Sequence, residues 1–243
     1  MDYSVIVPVY NEEACVVPLS HALTAVMGTL RSSYEILVVD DASSDQTVAR
    51  LTALDVSSAP LTIVSLKSHV GKSVALQAGF DVAQGHIVIT LDGDLQNDPA
   101  DIPALLRKLG EGYDMVCGWR RNRQDPEGKK LASALAGAIR RCVMRDVVHD
   151  VGCGLAVFNH RVIQQIRLSR GLHRFFAWLA ARRGFRVGEV EVHHHPRAAG
   201  VSKYGLWDRL LQGSGDLWRL KTGGMERLMR QPPVYEIKEV IRR

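Results

Sequence analysis

The chain of 243 residues contains no apolar run of the ~18–20 residues that a membrane-spanning helix needs, so no such helix is expected. It has only four cysteines (Cys15, Cys117, Cys142 and Cys153), and none stands in a CxxC pair. That spacing excludes a zinc ribbon and a disulfide framework, and leaves free thiols in a cytosolic protein as the expectation. Aromatic residues make up 6% of the chain and no nucleic-acid-binding motif is present, so nucleic acid is not an expected partner. There is no internal repeat at solenoid spacing and no low-complexity tract. The first residues run straight into strand-like SVIVPVY without the basic start and cleavage site of a signal peptide, so export is not expected.

What is present is enough apolar material, 46% of residues, for one sizeable core. The net charge of +5 conceals a split: residues 1–118 carry 6 Lys/Arg and 15 Asp/Glu, whereas 119–243 carry 25 and 11. An acidic half beside a basic half suits a site holding a cation and a polyanion together; two merely solvated faces are the alternative.

Short β-branched runs alternate with helical patterns. Strands are predicted at 4–10, 35–40, 61–67, 86–91 and 113–118, with helices at 12–30, from 45, at 72–84 and at 99–109. Alternation of this kind gives an α/β fold with a mainly parallel sheet, whose ligands bind at the carboxyl ends of the strands. Polar clusters fall at those ends: Tyr10-Asn11-Glu12, Asp40-Asp41 and Asp92-Gly93-Asp94. Further on, helices are predicted at 129–145, 172–183 and 205–221, and strands at LAVF (155–158) and 187–192. Beyond 223 the expectation is a loosely held arm or an oligomer contact.

In VITLDGDLQNDP, residues 92 and 94 of an extended segment point the same way, ~6.6 Å apart, and can converge on one divalent cation. Hard oxygen donors favour Mg2+ or Mn2+, ions that keep positions open for substrate phosphates. A helix-capping Asp beside a turn Asp would give the same short pattern. The segment 119–123 (WRRNR) carries guanidinium groups past a strand end, a geometry suited to phosphate oxygens. Residues 197–204 (RAAGVSKY) form a glycine-hinged cationic loop, and His193, His194 and His195 are adjacent, so they read as strand-end structure rather than a metal cluster. Gly71-Lys72-Ser73 imitates the end of a P-loop, but Leu66 stands where a glycine is required, so Lys72 is expected to start a helix.

Taken in order, VIVPVYNEE (5–13), EILVVDDASSDQT (35–47), HVGKSVALQAGF (69–80), ITLDGDLQNDPADIP (89–103), GYDMVCGWRRNRQD (112–125), DVGCGLAVF (150–158) and HHHPRAAGVSKYG (193–205) resemble the family 2 glycosyltransferases of GT-A fold. The likeness is greatest to the polyprenyl-phosphate branch, which includes dolichol-phosphate mannose synthase and the undecaprenyl-phosphate aminoarabinose transferases. The resemblance implies a GT-A-type Rossmann-like sheet over 1–222, with a nucleotide-binding half (1–118), an acceptor half (119–222) ending in a helical extension, and an arm at 223–243. It implies that Pro8, Tyr10 and Glu12 frame the base and ribose, that Asp41 reads the base, and that Asp92 and Asp94 hold the metal with Gln96 as a third ligand. Arg120, Arg197 and Lys203 would face the diphosphate. Asp150 would be an acceptor-side base or orienting group, with a tight glycine-rich turn as the rival reading. Ala156 stands where related sequences often carry Arg, which weakens acceptor-phosphate binding by that turn.

The implied reaction is metal-dependent, inverting transfer from a nucleoside-diphosphate sugar to a polyprenyl phosphate at the cytosolic membrane face. UDP is favoured over GDP on the stretch NRQD. A soluble glycan or protein hydroxyl is the alternative acceptor, and a non-catalytic nucleotide-sugar-binding module is the alternative class. Over 205–221, Leu206, Trp207, Leu210, Leu211, Leu217 and Trp218 share one helical face. Residues 197–243 hold 10 Lys/Arg and 5 Asp/Glu, so this helix either packs on the core or lies on an anionic bilayer. An oligomer is compatible with the sequence.

Overall fold

A computed structural model describes residues 1–54, 60–121, 148–196 and 233–243. The predicted helices at 129–145 and 205–221, and the cations Arg197 and Lys203, lie outside the described residues. Among the described residues eight strands form one sheet in the order β7-β5-β6-β4-β1-β2-β3-β8. They are β1 (Tyr3–Val9), β2 (Tyr34–Asp40), β3 (Leu61–Leu66), β4 (Ile87–Thr90), β5 (Met115–Trp119), β6 (Ala156–Asn159), β7 (Val187–Glu191) and β8 (Ile237–Arg242). The helices are α1 (Val16–Thr29), α2 (Thr47–Ala53), α3 (Lys72–Val82), α4 (Ile102–Gly110), α5 (His160–Gln165) and α6 (Phe176–Arg182). β1 pairs in parallel with β2 and β4, β2 with β3, and β5 with β7. β6 runs antiparallel between β4 and β5. This is the α/β sheet flanked by helices that the alternating pattern predicts.

The central strands are buried on both faces, which is why they read as continuous apolar runs. Val5, Val7 and Val9 face one layer with Leu19, Leu23 and Leu105 of α1 and α4. Ile6, Leu37 and Val39 face the other, with Phe80 of α3 and Phe176 of α6. Phe80, Phe158 and Phe176 meet there with ring centroids 5.1–5.8 Å apart. Each such side chain contributes ~1.5–3 kcal/mol by leaving water.

α1 starts at Val16, later than the apolar spacing suggests. The backbone N–H groups of Asn11, Glu12 and Glu13 are taken instead by Ser43 Oγ, Thr47 Oγ1 and Asp45 Oδ2. These bonds latch the loop after β1 to the loop after β2. Lys72 is indeed the first residue of α3, and Gly71 precedes it at φ +90°, a conformation that favours glycine.

The expectation of a loosely held arm is corrected for the last residues. β8 pairs antiparallel with β3, Lys67 Nζ meets Glu236 at 2.6 Å, and Tyr235 donates to Asp81 Oδ2 at 2.6 Å. A second donor, Arg167, reaches the same Asp81 oxygen at 2.9 Å. Backbone pairing and this clasp hold what composition alone marks as solvent-loving. Among the described residues no helix is long and apolar enough to cross a membrane, and Cys15, Cys117 and Cys153 are not joined in a disulfide with one another.

Gly85 sets the entry to β4. A Cβ there would lie 2.4 Å from Ser4 N and 2.5 Å from Tyr3 C, both backbone atoms that cannot yield locally. Gly85→Ala is expected to cost about 3 kcal/mol in urea unfolding through overpacking. Gly110→Ala, at the open end of α4 with nothing within 4 Å, is expected to be neutral or to stabilise by up to about 1 kcal/mol.

Candidate functional site

The loops after β1, β2, β3, β4 and β5 share one rim. Among the described residues four non-glycine residues have positive φ, and three of them lie on this rim: Asn11, Ala42 and Leu95. Such conformations persist only where surrounding bonds over-determine them, and they gather at functional sites. Asn11, for example, also accepts from Ser44 N at 2.8 Å.

Pro8 is buried within β1, and Tyr10 and Glu12 follow it, half-buried, at the rim. The ring of Tyr10 stacks on His69, with centroids 4.0 Å apart. His69 in turn approaches Asp41 Oδ2 at 2.9 Å. The buried Asp41 carboxylate also accepts from Val70 N and Gly71 N, each at 2.8 Å. It therefore pins the residue that precedes α3 and fixes where Lys72 begins.

Asp92 and Asp94 leave the carboxyl end of β4. Gly93 between them has no room for a side chain, because a Cβ would meet Val9 Cγ1 at 2.7 Å. Asp94 Oδ1 accepts from Gln96 N at 3.2 Å in a tight Asx-type turn. Asp92 forms an ion pair with Lys72, the side chains being 25% and 34% exposed respectively. Burial raises the Asp92 pKa, but Lys72, followed by Arg120, outweighs it and holds the carboxyl below its usual range. Continuing the antiparallel β4–β6 register past Thr90↔Ala156 brings Gly154 opposite Asp92. A Cβ on Gly154 would lie 2.2–2.5 Å from the Asp92 carboxylate. The glycine of the DVGCG turn is thus a requirement of Asp92, not only of the turn. Among the described residues no three His, Cys, Asp or Glu side chains gather as a metal site, and Gln96 meets the acidic pair through its backbone N–H on Asp94.

Arg120 and Asp150, given separate tasks from sequence, meet in a two-pronged salt bridge. Arg120 Nε lies 2.7 Å from Oδ2 and the terminal nitrogen 2.9 Å from Oδ1, with the side chains 8% and 7% exposed. Arg120 N and Gly152 N also donate to this carboxylate. With four donors on it, the Asp150 carboxylate anchors the guanidinium, an arrangement in keeping with the orienting alternative of the two roles expected for it. Burial opposes the charge on Arg120, yet Asp150 raises its pKa further. Beside them burial pushes the Cys153 thiol up to about 11, so it is no nucleophile at neutral pH.

The three histidines are strand-end structure, as expected. His193 bonds Asp101 through its backbone N–H (2.7 Å) and its Nδ1 (2.8 Å), His195 Nε2 lies 3.1 Å from Asp98, and His194 bridges to Asn97. His195 N donates to Gln96 O at 2.9 Å, which brings this segment beside the acidic turn.

Residues 4–167 match the family model described as "Glycosyl transferase family 2". The chain belongs to glycosyl transferase family 2. This family 2 chain is 38% identical over 211 residues to dodecaprenyl-phosphate galacturonate synthase of Rhizobium johnstonii, covering 85% of this chain and 62% of that protein. It is 40% identical over 207 residues to undecaprenyl-phosphate 4-deoxy-4-formamido-L-arabinose transferase of Aeromonas hydrophila subsp. hydrophila, covering 84% and 63%. The chain spans a little under two thirds of the length of these curated relatives. Its fold is similar to that of glucosyl-3-phosphoglycerate synthase from Mycobacterium tuberculosis, solved in complex with Mn2+, UDP and phosphoglyceric acid. The TM-score is 0.70 at 20% identity, over 91% of this chain and 78% of that one.

Several rim residues of this family 2 chain carry no signal in the sequence. Lys72 reads as a helix start, and His69 as loop. His173, in a 3-10 turn at Leu172–Phe175, reads as helix. It comes to the rim from about 100 residues away to bond Ser73. Its backbone N–H donates to Ser73 Oγ at 3.2 Å, and its Nδ1 lies 2.6 Å from the same hydroxyl. Burial, followed by the charges of Lys72 and Arg174, pushes the His173 pKa down to about 3.

Asp150→Ala leaves the buried Arg120 without its counter-charge and is expected to cost about 3–5 kcal/mol in chemical unfolding. The apolar double variant Arg120→Met/Asp150→Leu is expected to cost less than Asp150→Ala alone, because no orphan charge remains. For His173 the unfolded chain binds the proton first. Stability therefore falls as pH drops below about 6.5, by at most about 1.4 kcal/mol per unit, until the folded-state pKa is reached. Urea midpoints followed from pH 7 to 4 are expected to fall less steeply in His173→Gln than in the unmodified chain.

Proposed function

We propose that this chain transfers a sugar, with inversion, from a nucleoside-diphosphate sugar to a polyprenyl phosphate at a membrane surface. The observation that carries the reading is the placement of Asp92 and Asp94 at the carboxyl end of β4, beside Lys72 and the buried Arg120–Asp150 pair. Membership of family 2 supports sugar transfer, and the polyprenyl-phosphate acceptors named for its relatives support the acceptor class.

The donor set suits a divalent cation. Asp92 stays ionised, Asp94 and Gln96 are partly exposed, and all three offer hard oxygen atoms. Mg2+ or Mn2+ held by Asp92, Asp94 and Gln96 supplies positive charge against the departing diphosphate. The Tyr10–His69 stack offers an aromatic face for the base, and Glu12 a carboxylate for ribose hydroxyls. Asp41 serves this base site mainly by holding residues 69–71; any base edge it reads shares the carboxylate with those donors. Pro8 shapes the floor below. Arg120, oriented by Asp150, adds field against the leaving group, and Arg197 and Lys203 are assigned the outer phosphate contacts. The acceptor phosphate is already anionic near neutral pH. One of its oxygens forms the bond to the anomeric carbon as the bond to the diphosphate breaks, so no strong base is needed at Asp150. UDP is assigned as the donor nucleotide in preference to GDP.

The test is a thermal-shift panel of UDP- and GDP-sugars with Mn2+, followed by transfer of labelled sugar to undecaprenyl phosphate in detergent. One nucleotide class should stabilise the protein. Asp94→Asn should lose most of that shift and lower turnover by about 100-fold or more. Equal shifts in both proteins, with or without chelator, would remove the donor-site assignment. Transfer to a soluble glycan but not to the lipid would remove the acceptor assignment.

A further inference from the structure

Asp92 is crowded by cations, yet they are not equivalent. Arg120 is consumed by the fork to Asp150. His173 is held neutral by burial and by its cationic neighbours, and its Nδ1 is taken by Ser73. Lys72 is, among the described residues, the one cation in direct contact with the Asp92 carboxylate. Its position is set from behind: Asp41 holds Val70 and Gly71, Gly71 opens α3, and Lys72 is the first residue of that helix. On the other side, Gly154 leaves Asp92 no free space. The carboxylate thus presents its open side to Lys72.

The ammonium end is held differently from the backbone that carries it. The Lys72 ammonium makes no other hydrogen bond among the described residues, and the side chain is about one third exposed. An ammonium on a flexible four-carbon stem can swing away with little packing lost. The oxygen it covers is one that the proposed function gives to the divalent cation.

We propose that Lys72 is a displaceable counter-ion of Asp92: it occupies the carboxylate until a divalent cation takes its place, and the released ammonium then binds a diphosphate oxygen of the donor. This rests on the donor-site reading above. The pair keeps a partly buried carboxylate compensated while no donor is bound, and it weakens binding of metal alone. Metal arriving with diphosphate is favoured, because the diphosphate offers the displaced ammonium a new partner. Binding of metal and nucleotide is thereby coupled through one side chain.

The experiment is Mn2+ titration of the full chain, followed by the EPR signal of free Mn2+, for the unmodified protein, Lys72→Met and Lys72→Arg, with and without UDP. Lys72→Met should bind Mn2+ alone about fivefold more tightly, the upper end of what a partly exposed ion pair supplies. Lys72→Arg, which keeps the charge, should stay within about twofold of the unmodified protein on the same grounds. In the presence of saturating Mn2+, UDP should bind Lys72→Met several-fold more weakly. Equal or weaker Mn2+ binding by Lys72→Met overturns the inference, as does Lys72→Arg behaving like Lys72→Met. Unchanged UDP affinity in Lys72→Met overturns the hand-over of the ammonium. If neither the unmodified protein nor the variants bind Mn2+ even with UDP present, the donor-site reading fails and this inference fails with it.

Discussion

The Asp92 carboxylate is backed closely by Gly154 and met by Lys72, and much of the rim follows from that. Gly154 stands behind it because β6 runs antiparallel to β4 and places residue 154 opposite residue 92. Lys72 stands before it because Asp41 fixes the start of α3. Gly93 lets the chain turn across Val9, so that Asp94 can follow on the same rim. Four separate segments, at 41, 72, 92–94 and 154, are therefore coupled by excluded volume, one ion pair and the hydrogen bonds to Asp41.

The second organising feature is the Arg120–Asp150 fork. A buried ion pair seldom adds net stability, because desolvation of both partners offsets their attraction. Its value here is geometric. It holds a permanent positive charge close to Asp92 while denying that charge a flexible stem. Arg120 and Lys72 thus act on the same carboxylate in opposite manners, one as fixed field and the other as a movable contact. Family 2 membership supplies the chemistry for which such a division is useful.

Much of the fold was legible because parallel strands covered on both faces must be β-branched and apolar throughout, as at residues 5–9 and 36–39. The rim was legible because carboxylates rarely follow such strands without a cause, and Asp41, Asp92 and Asp94 all do. Pairing was harder to read. Nothing local in RSRGLHRFF announces that His173 will bond Ser73, and nothing in HVGKS announces that Lys72 will meet Asp92. Arg120 and Asp150 each had a plausible separate role until the fold brought them within 2.7 Å. The closing residues YEIKEVIR look solvent-loving because four of eight are charged, yet an edge strand tolerates such a pattern, with Ile237 and Val240 left 37% and 44% exposed.

That edge strand has a bearing on biosynthesis. β1 to β7 can assemble as the chain emerges, but the free margin of β3 has no partner until residues 237–242 leave the ribosome, some 170 residues after β3 itself. Until then the nascent sheet exposes a row of unsatisfied backbone donors and acceptors along LTIVSL. The late-made β8 is the segment that seals this margin against pairing with other nascent chains.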